Sequence, residues 1–330
     1  MSEHGGPLRL GVLGCASIAW RKTLPALARV PGLALAAVAS RDRDKADRFA
    51  ARFGGEPVTG YSALLDRDDV DAVYVPLPAA MHAAWVERAL RAGKHVLAEK
   101  PLATEYADAV ALVRLAGERG LVLAENFMFT QHSQHARIRK LVADGTIGEL
   151  RAVYAAFAIP PLPPDDIRYR PDVGGGALAD VGGYPIRAAG LFLGDNLDVA
   201  GAVLRMDRRR GVDVGGAALL VRPDGVHAHV TFGMEHAYRC EYELWGTAGR
   251  LRLDRAYTPP EDHRPVVRIE RPDGVRELEC EPDDQFANVL HAFVDEVRTG
   301  VHSGLSGEAV VAQAALVDRV RAVARYVDVG

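Results

Sequence analysis

Leu8-Arg9-Leu10-Gly11-Val12-Leu13-Gly14-Cys15-Ala16-Ser17-Ile18-Ala19 is the stretch on which the fold turns. An apolar run ends at Gly14 and passes directly into an amphipathic segment, Ile18 to Val30, so a strand hands over to a helix through a glycine turn. In that context the free N–H groups of a helix start can hold a pyrophosphate. Gly14 allows the tight turn, and Leu13, Cys15, Ala16, Ser17, Ile18 and Ala19 complete the expected cradle. Ala16 and Ala19 replace the middle and last glycines of the strict fingerprint, which crowds the backbone slightly near the phosphates. The competing reading is a plain strand-to-helix turn.

Working outward, apolar runs alternate with amphipathic stretches as far as Asn126: LALAAVAS then Asp42 to Phe53, DAVYVPLP then Ala79 to Ala92, HVLAEK then Thr104 to Glu118, and LVLAEN. Continuous apolar strands joined by helices predict a doubly wound α/β unit, a parallel sheet covered on both faces, over residues 1–126. From about Glu149 the pattern changes to LRAVYAAFAIP, LDVAGAVLR, GGAALLVR, GVHAHVTFGM, YRCEYELWG, RLRLD and PVVRIER, with turn signals such as Pro223-Asp224-Gly225. Short turns between consecutive strands predict a large, mostly antiparallel open sheet in an α+β domain over residues 127–330, closed by helices at Asp284 to Arg298 and Ser306 to Tyr326. His227 and His229 alternate with Val226, Ala228 and Val230, so one sheet face is polar or meets something other than the core. A partner subunit can cover it.

Composition narrows the function. With 330 residues, 48% hydrophobic and 25% charged, the chain is that of a globular protein, and a net charge of −4 offers no basic excess for nucleic acid. No apolar stretch is long enough for a membrane span, and Met1-Ser2-Glu3-His4 does not start like a signal peptide, which points to the cytoplasm. Cys15, Cys240 and Cys280 are far apart and read as reduced; no ligand cluster suggests a metal.

Ser40-Arg41 ends the second strand where an NAD-preferring site carries an acid for the ribose 2′-hydroxyl. Ser40 can donate to a 2′-phosphate and Arg41 can fork onto it or stack on adenine, so NADP(H) is the expected cofactor; the alternative is that Arg41 merely balances Asp42 and Asp44. Tyr61 is assigned to the same cofactor set. Ligands of such sheets lie beyond the carboxyl ends of the strands, which places Pro76, Leu77, Glu99, Lys100 and Asn126 at the nicotinamide, with His82 one helical turn on as a cap. Lys100 before Pro101 is expected at a sharp strand exit, where an ammonium can protonate a carbonyl oxygen. Farther on, Asp180 and Tyr184 share a helix face in a segment that Gly182, Gly183 and Pro185 weaken. Arg168, Tyr169 and Arg170 lie on a proline-bracketed loop where a guanidinium can pair with a diphosphate, and Arg21 lies just past the glycine turn, within reach of cofactor or substrate.

These motifs carry a resemblance. Over nearly its whole length the chain resembles the oxidoreductases of the glucose-fructose oxidoreductase, inositol dehydrogenase and rhizopine catabolism group (Gfo/Idh/MocA), through the glycine turn, Glu99-Lys100-Pro101 and the open sheet. The resemblance implies an N-terminal Rossmann domain, and a C-terminal sheet that meets its counterpart in a homodimer or homotetramer. Many members carry Asp-x-x-x-His with a further acid; here Tyr184 and Arg187 stand instead, as in the tyrosine-bearing branch. GCASIAWRKTLPAL, VYVPLP, ENFMF, IPPLPPDDIRYRP and HAYRCEYELWG are most similar to nucleotide-sugar 3-ketoreductases of deoxysugar pathways. That likeness implies a dTDP-linked keto sugar as substrate and Lys100 as proton donor; on chemical grounds Tyr184 can share the alkoxide hydrogen bond or relay the proton, Asp180 can orient the sugar hydroxyl or Lys100, and Arg168 can pair with the diphosphate. A free-sugar or dihydrodiol dehydrogenase and a non-catalytic NADP-binding sensor remain the alternatives.

Overall fold

The computed structural model describes residues 6–329, so the N-terminal Met1-Ser2-Glu3-His4 lies outside the described residues. The alternating pattern forms β1 Leu8–Leu13, β2 Leu33–Ser40, β3 Glu56–Thr59, β4 Ala72–Val75, β5 His95–Glu99 and β6 Leu123–Asn126. They lie in the order β3-β2-β1-β4-β5-β6 and every pair is parallel. Val12, Leu13, Val73, Tyr74, Val75, Val96, Leu97 and Ala98 are fully buried, as a sheet covered on both faces requires. β1 pairs with β2 on one side and β4 on the other, so the winding reverses between β1 and β4 and opens a crevice at their carboxyl ends. Gly14 and Pro76-Leu77 follow directly from those two strands.

β3 was not expected. It holds Pro57, shows no fully buried residue and pairs only with β2 at the sheet edge, so it lacks the apolar run that marks its neighbours. The helix expected from Ile18 to Val30 is a π turn, Ala19–Thr23, running into a short α-helix, Leu24–Leu27. Pro25 has no N–H for a regular helical bond, and a widened turn accommodates it. Asp42 caps the helix Arg43–Phe53 by accepting from Lys45 N, which accounts for that acid structurally.

The second sheet has nine strands, β14-β13-β12-β11-β7-β10-β9-β8-β15 in spatial order. β7 Leu150–Ala158, β8 Asp198–Asp207, β9 Val212–Val221, β10 His227–Gly233, β11 Arg239–Gly246, β12 Arg250–Asp254 and β13 Val266–Arg271 match the expected runs. Two pairs, β7 with β10 and β8 with β15, are parallel, and the rest are antiparallel. β14 Gly274–Glu279 and β15 Ala324–Asp328 were not expected, and the last helix ends at Val323 rather than Tyr326. Both are edge strands without a buried face, so neither shows the alternation that would reveal it.

The chain forms two compact units. The first runs to Met128 and takes in Phe286–Val311; the second comprises Phe129–Gln285 and the residues from Ala312. A linear division at 126/127 places 286–311 with the second domain. Physically the segment adheres to the first sheet: Glu125 N donates to Leu305 O, Ala124 bridges Ser306, and Arg298 donates to the carbonyl oxygens of Gly6 and Gly32. The segment is kept in shape by Glu296, a buried carboxylate that accepts from Ser303 and Ser306.

Candidate functional site

In the first unit the expected cofactor residues gather at the carboxyl edge of the parallel sheet. Gly14 has φ +119°, a conformation that side chains rarely adopt, and a Cβ there would lie 2.8 Å from Leu77 Cδ2. Its N–H donates to Ala39 O, which ties the turn to β2 one residue before Ser40. The Ser40 hydroxyl accepts from Asp42 N at 3.1 Å. Arg41 is exposed, and Tyr61 packs its ring edge-on against Trp85 at 5.0 Å. Burial pushes this phenol and the Cys15 thiol up, keeping both neutral near pH 7.

β5 ends at Glu99, and Lys100 follows, half-buried, joined to Pro101 by a cis peptide bond. Glu99 Oε1 accepts from the Tyr74 hydroxyl at 2.6 Å and from Asn126 Nδ2 at 2.7 Å, while Thr23 Oγ1 lies 3.0 Å from the Tyr74 oxygen. Because Tyr74 gives its proton to the carboxylate, Thr23 donates to Tyr74. Burial pushes the Glu99 carboxyl up, and Tyr74, Lys100 and Asn126 hold it back. Two neighbouring strands, β4 and β6, therefore fix the residue that precedes Lys100, and the π turn holds Tyr74 in place. Thr23 and Tyr74 escaped the sequence reading, since nothing in an apolar strand marks which tyrosine finds a carboxylate.

His82 is placed differently from expectation. It is buried, with Nδ1 2.7 Å from Pro101 O and Nε2 2.7 Å from Leu77 O. Both ring nitrogens address backbone, so His82 braces the loops that follow β4 and β5 instead of capping a pocket.

A dinucleotide fits this edge. The Gly14 turn leaves no space for a side chain, Ser40 and Arg41 carry no acid against a 2′-phosphate, and the buried Asn126 Oδ1 has no hydrogen-bond partner in the structure. No group of three or more potential metal ligands exists among the described residues.

In the second unit Asp180 lies in a π turn, Leu178–Gly182, that runs into the α-helix Gly183–Leu193 bearing Tyr184. The expected weak helix is thus a π segment, with Pro185 unable to donate a regular bond just after it. The Tyr184 ring is buried among Phe129, Phe157 and Tyr257, with centroids 5.0–5.8 Å away, so its position is fixed by packing.

Asp213 on β9, missed in the sequence, holds the start of this turn. Its carboxylate accepts from Leu178 N at 2.6 Å, and burial pushes the carboxyl up. An acid between the buried Val212 and Val214 was the available signal. Gly176 (φ +123°) packs so closely on Asp213 that a Cβ would collide with Oδ1.

Arg168 also departs from expectation. Its Nε donates to Asp180 Oδ2 at 2.6 Å and its Nη1 to Asp166 Oδ1 at 3.2 Å, so two carboxylates already engage the guanidinium expected on a diphosphate. Arg170 pairs with Asp172, and Tyr169 is buried under Arg210, whose guanidinium carbon is 3.9 Å from the ring centroid. Arg21, in the middle of the first unit's π turn, is exposed.

Comparison with known proteins gives the following likenesses. The family model for the oxidoreductase family with NAD-binding Rossmann fold (Gfo/Idh/MocA) matches residues 8–127, and that for the Gfo/Idh/MocA C-terminal domain matches residues 135–252. A dTDP-3,4-didehydro-2,6-dideoxy-α-D-glucose 3-reductase of Actinomadura kijaniata is 56% identical over 98% of this chain and 97% of its own length. One from Streptomyces antibioticus is 58% identical over 96% of this chain and 97% of its own. A crystal structure of a 3-ketoreductase from Actinomadura kijaniata, in complex with NADP and TDP-benzene, superposes with a TM-score of 0.95 at 56% identity, covering 98% of this chain and 100% of that one.

Proposed function

The chain belongs to the Gfo/Idh/MocA oxidoreductase family, and from that premise we propose that it reduces, with NADPH, the C3 ketone of a dTDP-linked 3-keto or 3,4-diketo-6-deoxyhexose. The supporting observation is identity of 56% over 98% of the chain to a relative named for that 3-reduction. The nicotinamide, when bound, supplies the hydride. The protein supplies everything else: Gly14 and its flanking residues from Leu13 to Ala19 receive the pyrophosphate, Ser40 and Arg41 the 2′-phosphate, and Pro76, Leu77 and Asn126 border the nicotinamide.

As charge develops on the C3 oxygen, Lys100 stabilises it and delivers the proton, which turns the alkoxide into a hydroxyl. Glu99, held by Tyr74 and Asn126, anchors the backbone from which that ammonium projects. Tyr184, its ring packed among Phe129, Phe157 and Tyr257, is assigned to support the transfer, and Asp180 to orient a sugar hydroxyl or Lys100. Arg21 is assigned to the pyrophosphate of cofactor or substrate.

The test is steady-state kinetics with the nucleotide-linked ketosugar, the same sugar without nucleotide, and either NADPH or NADH. The linked sugar is expected to exceed the free one in kcat/KM by at least about tenfold, because remote binding energy is realised in the transition state. Equal kcat/KM would replace this reading with that of a free-sugar or dihydrodiol dehydrogenase; no turnover of any ketosugar would leave an NADP-binding sensor. Arg41→Ala is expected to raise KM for NADPH about tenfold and leave NADH nearly unchanged, since a charge-assisted contact to phosphate is lost only with NADPH. Equal losses would remove the 2′-phosphate role.

Among the described residues no helix is long and apolar enough to cross a membrane, and the proposed reaction places the protein in the cytoplasm. Self-association as a homodimer or homotetramer is assigned to the outer face of the nine-stranded sheet. There Trp245 is 52% and Tyr154 37% exposed, with Tyr154 stacked on His229 at 5.0 Å. A monomer in sedimentation at micromolar concentration would exclude it.

A further inference from the structure

We propose that Arg168 is a positioning residue that fixes the orientation of the Asp180 carboxylate, and not a ligand of the substrate diphosphate. The inference rests on the reaction proposed above and concerns how its sugar-contacting acid is held.

The loop that carries Arg168 is built rigidly. Asp166 accepts from Arg168 N at 2.9 Å and also from its guanidinium, so a single carboxylate sets both the backbone and the side chain. Gly175 N donates to Arg170 O and Gly176 N to Arg168 O, each at 2.9 Å, clipping the loop to the residues that lead into the π turn. The approach is so close that a Cβ on Gly175 would lie 2.5 Å from Arg168 O and 2.7 Å from Arg170 O. From the other side Asp213 holds Leu178 N at 2.6 Å. Two residues later stands Asp180, whose carboxylate is met by Arg168 Nε. The glycine run thus serves a definite purpose: it lets a loop arginine and a strand aspartate grip the same helical turn from two sides.

Geometry decides between the two roles. Arg168 already gives Nε to Asp180 and Nη1 to Asp166, so turning the guanidinium onto a diphosphate would break both contacts. The arrangement suits a different task. Asp180 stands first among the causes that hold the guanidinium charged, and the pair is partly shielded from water, where a charge-assisted bond is strong and directional. A carboxylate fixed in this way meets a neutral, hydrogen-bond-donating hydroxyl at a set angle, and a small displacement of it would misalign the sugar.

The experiment compares wild type, Arg168→Gln, Arg168→Lys, Asp180→Asn and the Arg168→Gln/Asp180→Asn double variant, with two readouts: calorimetric affinity for dTDP, and NADPH-dependent kcat on the nucleotide-linked ketosugar. Arg168→Gln is expected to keep dTDP affinity within about twofold and to lower kcat by up to about 100-fold, the usual cost of a misplaced contact. In the double variant the losses are expected not to multiply, because Arg168 acts through Asp180. Arg168→Lys, which keeps a charge for Asp180, is expected to recover part of kcat and serves as the folded comparison if Arg168→Gln is unstable. A tenfold or greater loss of dTDP affinity in Arg168→Gln or Arg168→Lys, or fully multiplicative losses in the double variant, would overturn the proposal. Absence of wild-type turnover would instead count against the reaction itself, so the two failures are distinguishable.

Discussion

Lys100→Ala is expected to bind NADPH with near wild-type affinity and to lose about 1,000-fold in kcat, within the range for removing a general acid that also stabilises an oxyanion. The asymmetry follows from what the side chain does. In the ground state the ketone oxygen carries little charge and an ammonium near it adds little affinity; in the transition state the oxygen is an incipient alkoxide and the same ammonium supplies both field and proton. Truncation to alanine leaves the Glu99 network intact, because Tyr74 and Asn126 hold the carboxylate through atoms that the substitution does not touch. Tyr184→Phe is expected to cost only about tenfold, as loss of a supporting hydrogen bond, and its ring packing against Phe157 and Phe129 should survive. Fluorescence titration with NADPH and single-turnover reduction separate binding from chemistry. If Tyr184→Phe abolished turnover while Lys100→Ala barely changed it, the donor would be the phenol and the lysine its modulator.

The parts of this protein that were legible in its sequence are those written in periodicity. Five of the six parallel strands are continuous apolar runs, and the glycine turn, Ser40-Arg41 and Glu99-Lys100 follow because residues at the ends of such strands face one edge. Where the signal is amphipathic contrast and the element has none, it disappears: β3, β14 and β15 sit at sheet edges with no buried face. Side-chain partners fare worse, because spacing along the chain says nothing of contacts across it. His82 occupies a helix position that reads as accessible, yet it is buried with both ring nitrogens against backbone carbonyl oxygens, those of Pro101 and Leu77. Arg168 reads as a free cation on a loop, while Asp180, twelve residues on, pairs with it. Asp213 and Tyr74 are invisible for the same reason. The sequence offers donors and acceptors in quantity, and only the fold says which ones meet.

Gly14→Val is expected to weaken NADPH binding about 100-fold or more, the second large effect, and the reason is conformational before it is steric. At φ +119° a residue with a Cβ is strained by about 1–3 kcal/mol, and a β-branched side chain fares worst. The steric part is the encounter with Leu77 Cδ2, 2.8 Å from a Cβ on Gly14. That atom is the far end of a side chain and can move, although Leu77 is mostly buried and its carbonyl is held by His82. Strain and contact are separable by adding Leu77→Ala, which clears the contact and leaves φ as it was. The double variant should therefore recover less than half of the lost binding free energy. Titration of both variants with NADPH, with thermal unfolding to see whether the strain is retained in the folded chain or relieved by a shifted turn, decides the matter. Full recovery in the double variant would assign the cost to Leu77 alone, and unaltered affinity in Gly14→Val would mean that the turn after β1 does not receive the pyrophosphate.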